Sequence, residues 1–249
     1  MQTNYLFYDL ETSGLNKAFD QVQQFAGKTL DFDFTQQQEH YFEARLSPDI
    51  IPSAYAMLTH RISLVDDAIR VSEYEVISAI HKLINQPGTI SLGYNTMGFD
   101  DSFLRFSFHR NLYAPYTHQY ANGCMRMDVF PMVAFYYLYD NDIMQWPTIN
   151  EKLSLKLEAL ADCNGWSSGR AHHAMNDVDA TIALARHLYT KNKKMWDTLR
   201  LVVITVGVLV VIHMLLHIDE ERRAIAQLRV QQNRRRQQII AAGHGRRRN

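Results

Sequence analysis

Three short segments of the chain carry side chains of the kind that bind divalent cations. In the first, Asp9 and Glu11 are two residues apart at the end of the apolar run 5–8, so on a strand both carboxylates leave the same face. Two adjacent carboxylates repel each other unless a cation lies between them. A solvated strand end would also explain such a pair, but the apolar run before it favours a buried strand.

The other two segments are weaker when each is taken alone. Asp100 and Asp101 follow Phe99 where a helix is expected to start, and the helix dipole would favour either acid there. In the third segment His172 precedes Asp177 by five residues, a spacing that does not put both on one face of a helix. His172 must therefore lie on the loop before a helix if the two side chains are to converge.

The joint occurrence of these groups predicts a metal site. Each candidate ligand lies at a strand end or near a helix start, and the set is Asp9, Glu11, Asp100, Asp177 and His172. Carboxylate oxygens suit Mg²⁺ or Mn²⁺, and because no cysteine belongs to the set, zinc is disfavoured.

The elements that must position these groups follow a mixed α/β pattern. Strand-like segments come first and suggest an antiparallel meander, helix and strand then alternate, and helices end the pattern. A break near Val71 divides the first helix, because Ser72 can cap its second half. The strand predictions are 5–11, 19–34, 39–46 and 89–94, with the polar residues 35–38 between the second and third. The helix predictions are 65–85, a helix opening at Asn95, 127–139, 153–163 and 174–189.

The three acidic segments resemble the exonuclease motifs of the DnaQ-like DEDDh family, and within it most closely the bacterial exodeoxyribonuclease I branch. The motif segments are 7–14, 93–101 and 171–181, and further similarity lies at 58–63, 108–116 and 154–160. This resemblance implies an RNase H-like α/β (α+β) fold with a central mixed five-stranded sheet flanked by helices. It covers roughly residues 4–198, so we expect an exonuclease domain over 1–198.

The resemblance also implies a role for each motif residue. It gives the protein two Mg²⁺ ions, which Mn²⁺ can replace, held by Asp9, Glu11, Asp100 and Asp177. It makes His172 the general base, and it leaves the adjacent Asp101 and His173 in secondary roles.

Substrate contacts are expected close to the same strand end. Leu10, Ser13 and Gly14, next to Glu11, would let a terminal nucleotide pack closely. At Lys156 the relatives usually carry arginine; lysine keeps the charge but lacks the bidentate fork.

The implied reaction is hydrolysis of terminal phosphodiesters of single-stranded DNA from the 3′ end, which releases nucleoside 5′-monophosphates in DNA repair or recombination. Two alternatives stay open: an exoribonuclease that trims short RNA, and a non-catalytic nucleic-acid-binding scaffold held at a membrane.

The sequence changes character at Leu201. Residues 201–218 carry no formal charge and are just long enough to cross a membrane, although two histidines interrupt them. The segment 201–249 contains nine arginines and three acidic residues, whereas 1–200 has 17 basic and 23 acidic residues. Three interpretations of 199–249 stay open: an anchor that holds the nuclease on the cytoplasmic face of a membrane, a buried or partner-binding helix, and a shifted or truncated reading frame.

Composition and cysteine usage bound the class of protein. Apolar residues make up 47% of the chain, which excludes disorder throughout. Cys124 and Cys163 match no zinc or disulfide spacing, so we expect reduced thiols. The first 20 residues lack the basic and apolar regions of a signal peptide. Together these features predict a cytoplasmic location.

Overall fold

The computed structural model describes residues 4–63, 70–167 and 173–202. All of them belong to one compact unit, Met1–Thr205. His172 and residues 203–218 of the apolar segment lie outside the described residues, so the histidine's role and the predicted C-terminal hydrophobic helix stay predictions. Within the part of the chain that is described, no helix is long and apolar enough to cross a membrane.

A mixed sheet of five strands forms the centre of the fold, in the order β3-β2-β1-β4-β5. Strand β1 pairs antiparallel with β2 and parallel with β4, and β2 pairs antiparallel with β3. The predicted five-stranded mixed sheet and its antiparallel meander are therefore confirmed. The strands are β1 Asn4–Thr12, β2 Val22–Leu30, β3 Gln36–Glu43, β4 Thr89–Gly93 and β5 Met125–Asp128.

Helices cover both faces of this sheet. They include α1 Ala54–His60, α2 Glu73–Ile84, α3 Asp100–Arg110, α4 Val129–Tyr139, α5 Leu157–Asn164 and α6 Ala174–Lys191. Residues 193–202 are also helical. A small antiparallel pair, β6 Thr148–Ile149 and β7 Lys152–Leu153, lies between α4 and α5.

The alternation of side chains along β1 divides the core in two. Tyr5 and Phe7 pack in a cluster with residues of α4, α5 and α6, whereas Leu6, Tyr8 and Leu10 pack with residues of α2 and α3. Because side chains on a strand alternate between faces, Asp9 and Glu11 continue the row of Tyr5 and Phe7. The two acids therefore emerge on the α6 side of the sheet.

Local signals located some elements correctly. Ser72 accepts the N–H of Glu75, and the Glu75 carboxylate accepts the N–H of Ser72, so the predicted cap is confirmed as a capping box. The helix predicted over 174–189 is α6. The first part of the predicted helix 65–85 falls largely outside the described residues.

Several predicted boundaries were wrong. The helix expected from Asn95 begins at Asp100, because Asn95 has a φ of 60° and starts a turn. The helix expected from Met127 begins at Val129, and the residues before it form strand β5. The polar residues 36–38 are the exposed start of edge strand β3. The helix predicted from Leu153 begins at Leu157, and α1 was not predicted.

Candidate metal-binding active site

Two strand residues and one helix residue bring three carboxylates together. Asp9 and Glu11 leave the end of β1, where the pairing with β2 shifts register after Glu11. Asp177 lies in the first turn of α6, which packs on this face of the sheet. One ligand oxygen from each of the three acids lies within 4.8 Å of the others, and all three side chains are partly buried.

Asp100 belongs to the same electrostatic centre. It is the first residue of α3 and is only 5% exposed. Burial raises its pKa to about 8, and the charges of Asp128 and Glu11 act in the same direction, while the backbone N–H groups of Asp100 and Leu10 oppose them.

Asp9 is perturbed in the same sense. Burial raises the pKa of Asp9 well above its usual range, and the charges of Asp100, Asp177 and Glu11 raise it further. Four carboxylates that repel one another in a partly buried site need cationic charge to ionise together. Their oxygen donors fit a hard divalent cation such as Mg²⁺ or Mn²⁺.

The neighbouring Asp101 is occupied by a buried ionic network. Its carboxylate accepts from Arg126 at 2.5 Å, from Gln119 at 2.8 Å, and lies 3.1 Å from Nε2 of His118. Burial alone would raise the pKa of Asp101, but the His118 contact and the charges of Arg126 and Arg105 more than offset it, so the pKa is lowered. These partners hold Asp101 in place, and Asp101 in turn fixes the start of α3 next to Asp100.

A second supporting acid, Asp128, was missed in the sequence. It is 3% exposed at the end of β5, and its side chain accepts the N–H groups of Asn95 at 2.8 Å, Met97 at 3.1 Å and Phe130 at 3.0 Å. Burial raises the pKa of Asp128 above its ordinary value, and the hydrogen bonds from the three N–H groups offset only part of this rise. Asp128 thus caps α4 and holds the turn that leads into Asp100. The N-cap signal was present in the sequence, but the helix predicted from Met127 concealed it.

Comparison with known proteins identifies the family. The RNase T exonuclease family model matches residues 6–185. The chain belongs to this exonuclease family. Exodeoxyribonuclease I of Escherichia coli strain K12 is 33% identical over 201 residues, which are 80% of this chain and 42% of that protein. The family resemblance that the three motifs indicated is therefore confirmed.

Solved structures give the same result for this chain. A crystal structure of Escherichia coli exonuclease I in complex with a dT13 oligonucleotide matches with a TM-score of 0.77 and 33% identity, covering 80% of this chain and 43% of that one. A zinc-ion-bound form of the Escherichia coli exonuclease I complex with single-stranded DNA matches with the same values. The chain thus spans less than half the length of these relatives.

The histidine segment is described only from His173 onward. His173 is the N-cap residue of α6, and its ring lies parallel to that of Tyr41 on β3, with the centroids 6.3 Å apart. His172 precedes it directly in the sequence, and its assignment as general base stays a prediction.

The residues predicted to contact substrate differ in their exposure. The Leu10 side chain is 5% exposed and fills the α2–α3 core, so it forms no open packing surface. Ser13 is buried and donates to Asp20 Oδ1 at 3.0 Å, and a Cβ at Gly14 would lie 2.5 Å from the same carboxylate. A nucleotide contact at Leu10 would therefore use the backbone, and the contacts at Ser13 and Gly14 stay predictions. Lys156 is exposed at the N-cap of α5.

Proposed function

We propose that this chain hydrolyses the terminal phosphodiester of single-stranded DNA from the 3′ end and releases nucleoside 5′-monophosphates. The observation that carries the proposal is the convergence of Asp9, Glu11 and Asp177, whose ligand oxygens lie within 4.8 Å of one another. Because the chain belongs to an exonuclease family, we assign this cluster to phosphodiester hydrolysis. The oligonucleotides bound to the solved relatives support single-stranded DNA as the substrate class.

The chain's own residues would divide the work as follows. Asp9, Glu11, Asp100 and Asp177 would hold two divalent cations. When bound, such ions supply electrostatic stabilisation to the attacking and leaving oxygens of an in-line displacement. His172 would accept a proton from the attacking water, a task suited to an imidazole with an ordinary pKa of about 6.5.

The identity of the metal is part of the proposal. Four carboxylates favour Mg²⁺, with Mn²⁺ as a substitute, because both prefer oxygen ligands. One solved relative is a zinc-ion-bound form, so Zn²⁺ is included in the test. We therefore propose Mg²⁺ as the working metal on donor chemistry, and a role in DNA repair on the kinship with exodeoxyribonuclease I.

We further propose that the exonuclease domain extends over residues 1–198, which includes the matched range 6–185. The cytoplasmic location stays a prediction with it. The RNA and membrane alternatives have no supporting observation, and RNA enters only as an arm of the test.

The test uses two 5′-labelled oligonucleotides of one sequence, a DNA and an RNA, each incubated with Mg²⁺, Mn²⁺ or Zn²⁺. We expect stepwise shortening of the DNA from its 3′ end with Mg²⁺, and no shortening by Asp9→Asn. Asp197→Asn is the matched control, because Asp197 pairs with Lys193 in an exposed ion pair. This variant should retain full activity. Wild-type protein that leaves the DNA intact with both Mg²⁺ and Mn²⁺ would refute the proposal.

A further inference from the structure

The helix that carries Asp177 is not capped by its own N-terminal residue. The N-cap of α6 is His173, whose side chain makes no capping hydrogen bond. The first N–H groups of a helix need acceptors from outside the helical ladder. The N–H of Ala174 finds one far away in sequence, because it donates to Oε1 of Gln24 on β2 at 3.2 Å. The sheet therefore supplies a cap that the His173 side chain does not.

A chain of hydrogen bonds orients the Gln24 amide for this task. Nε2 of Gln24 donates to Glu43 at 3.0 Å and to the hydroxyl of Tyr41, and that hydroxyl donates to Glu43 at 2.7 Å. The other oxygen of Glu43 accepts from Nε of Arg70 at 3.1 Å. An ionised carboxylate can only accept, so the NH₂ side of the amide must face Glu43. The amide oxygen is thereby left to point at Ala174.

Glu43 has the charge state that this orientation needs. Burial would raise its pKa, but the hydrogen bonds from Tyr41, Gln24 and Arg70 outweigh burial and hold the pKa of Glu43 below its ordinary value. The carboxylate is therefore ionised at neutral pH. Gln24 itself is 2% exposed, so water does not compete for its amide.

The strand register aligns this network with the metal-binding acids. Gln24 lies directly between Glu11 on β1 and Glu43 on β3, and in the adjacent row Ala26 lies between Asp9 and Tyr41. Residues paired across antiparallel strands share one face of the sheet. The network thus occupies the face from which the two β1 ligands emerge. The Tyr41 ring extends it to His173 by stacking on the imidazole.

We propose that Gln24 is a positioning residue, which caps α6 from the sheet and so sets where the helix starts. Asp177, three residues after Ala174, takes its place opposite the β1 acids because this start is fixed. The same anchor fixes the chain immediately after His172. The inference rests on the proposed function and deepens it, since it assigns the placement of one ligand to an amide outside the motifs.

The test compares two neighbouring glutamines on β2. Gln24→Met keeps the length and volume of the side chain but removes the acceptor of Ala174 and the donor to Glu43. Gln23→Met is the matched control, because Gln23 is also 2% exposed and its Oε1 has no hydrogen-bond partner among the described residues. The first readout is the thermal shift on titration with Mn²⁺, which needs no activity, and the second is kcat and KM on single-stranded DNA.

We expect Gln24→Met to raise the Mn²⁺ concentration for the half-maximal thermal shift about 10- to 100-fold, as loss of an outer-shell partner does at metal sites. Its kcat should fall by a similar factor with little change in KM, whereas Gln23→Met should match wild type in both readouts. Glu43→Met, which removes the carboxylate that orients the amide, should shift both values in the same direction by less.

Wild-type Mn²⁺ affinity and kcat in Gln24→Met would overturn the inference. If that variant does not fold, Glu43→Met decides, and wild-type values in it would overturn the inference equally. Failure of the proposed function has a different signature: wild-type protein would bind Mn²⁺ and leave the DNA uncleaved. The comparison of Mn²⁺ affinities would still test the role of Gln24.

Discussion

Asp100 should make the metal-free protein less stable as the pH rises. Burial, with the neighbouring acids Asp128 and Glu11, raises the folded-state pKa of Asp100 to about 8, compared with about 3.9 in an unfolded chain. The folded state therefore holds this proton more strongly. The contribution of this proton to stability is complete below about pH 4, which is the pKa of the group in the unfolded chain. It is lost progressively as the pH rises to about 8.

The size of the effect follows from the linkage between proton binding and folding. Each pH unit between the two pKa values changes the free energy of unfolding by up to about 1.4 kcal/mol. Asp100→Asn cannot ionise and removes this dependence. The variant's stability relative to wild type should therefore grow by up to about 4 kcal/mol between about pH 5 and pH 8.

Urea unfolding in EDTA at several pH values measures this difference. Burial lowers the pKa of His40 and His81, which gives an opposite trend with pH, but both proteins share it and it cancels in the difference. Adding Mn²⁺ should stabilise wild type most at high pH, because metal binding requires ionised carboxylates, and should stabilise Asp100→Asn far less. A difference in unfolding free energy that stays constant from pH 5 to 8 would refute the reasoning.

Three further outcomes follow from supporting residues, each measured by urea unfolding. Asp128→Ala should lower the free energy of unfolding by about 3 kcal/mol, because three backbone N–H groups lose their acceptor and each loss costs about 1 kcal/mol or more. A loss below about 1 kcal/mol would contradict the role of Asp128 as their acceptor. Ser72→Ala should cost about 1 kcal/mol through loss of the capping box, without changing nuclease activity. Gly14→Ala should destabilise the protein, because the new Cβ would lie 2.5 Å from the Asp20 carboxylate and would push it away from its hydrogen bonds with Ser13 and the N–H of Asn16. Wild-type stability would show that this loop yields freely.

The elements that local patterns predicted are those whose signals are complete within a few residues. The apolar run of β1, the capping residues Ser72 and Glu75, and the one-sided pattern of α6 all belong to this class. Strand β5 was missed because its four residues, Met125–Asp128, contain two methionines that suit a helix and are too few to show alternation. The turn at Asn95 was missed because the helix dipole argument does not say where a helix begins.

The residues of the candidate site also fall into two groups, those that local motifs indicate and those that only tertiary contacts reveal. The order and residue types of the four acids were readable, since they rest on three short motifs at strand and helix ends. Their supports were not, because they depend on tertiary contacts. Asp128 acts on a turn some 30 residues earlier in the chain, and Gln24 acts on Ala174 across a separation of 150 residues. A single glutamine within a strand carries no local signal of such a role.

The central claim is the hydrolysis of a 3′-terminal phosphodiester with Mg²⁺, and its most direct test is the identity of the first product. Single-stranded DNA with a unique 3′-terminal base is incubated with the protein and Mg²⁺ in ¹⁸O-labelled water, and the products of a single turnover are analysed by mass spectrometry. We predict the nucleoside 5′-monophosphate of that base with one ¹⁸O atom on its phosphate. A nucleoside 3′-monophosphate, a first product from the 5′ end, or ¹⁸O-free product would contradict the claim.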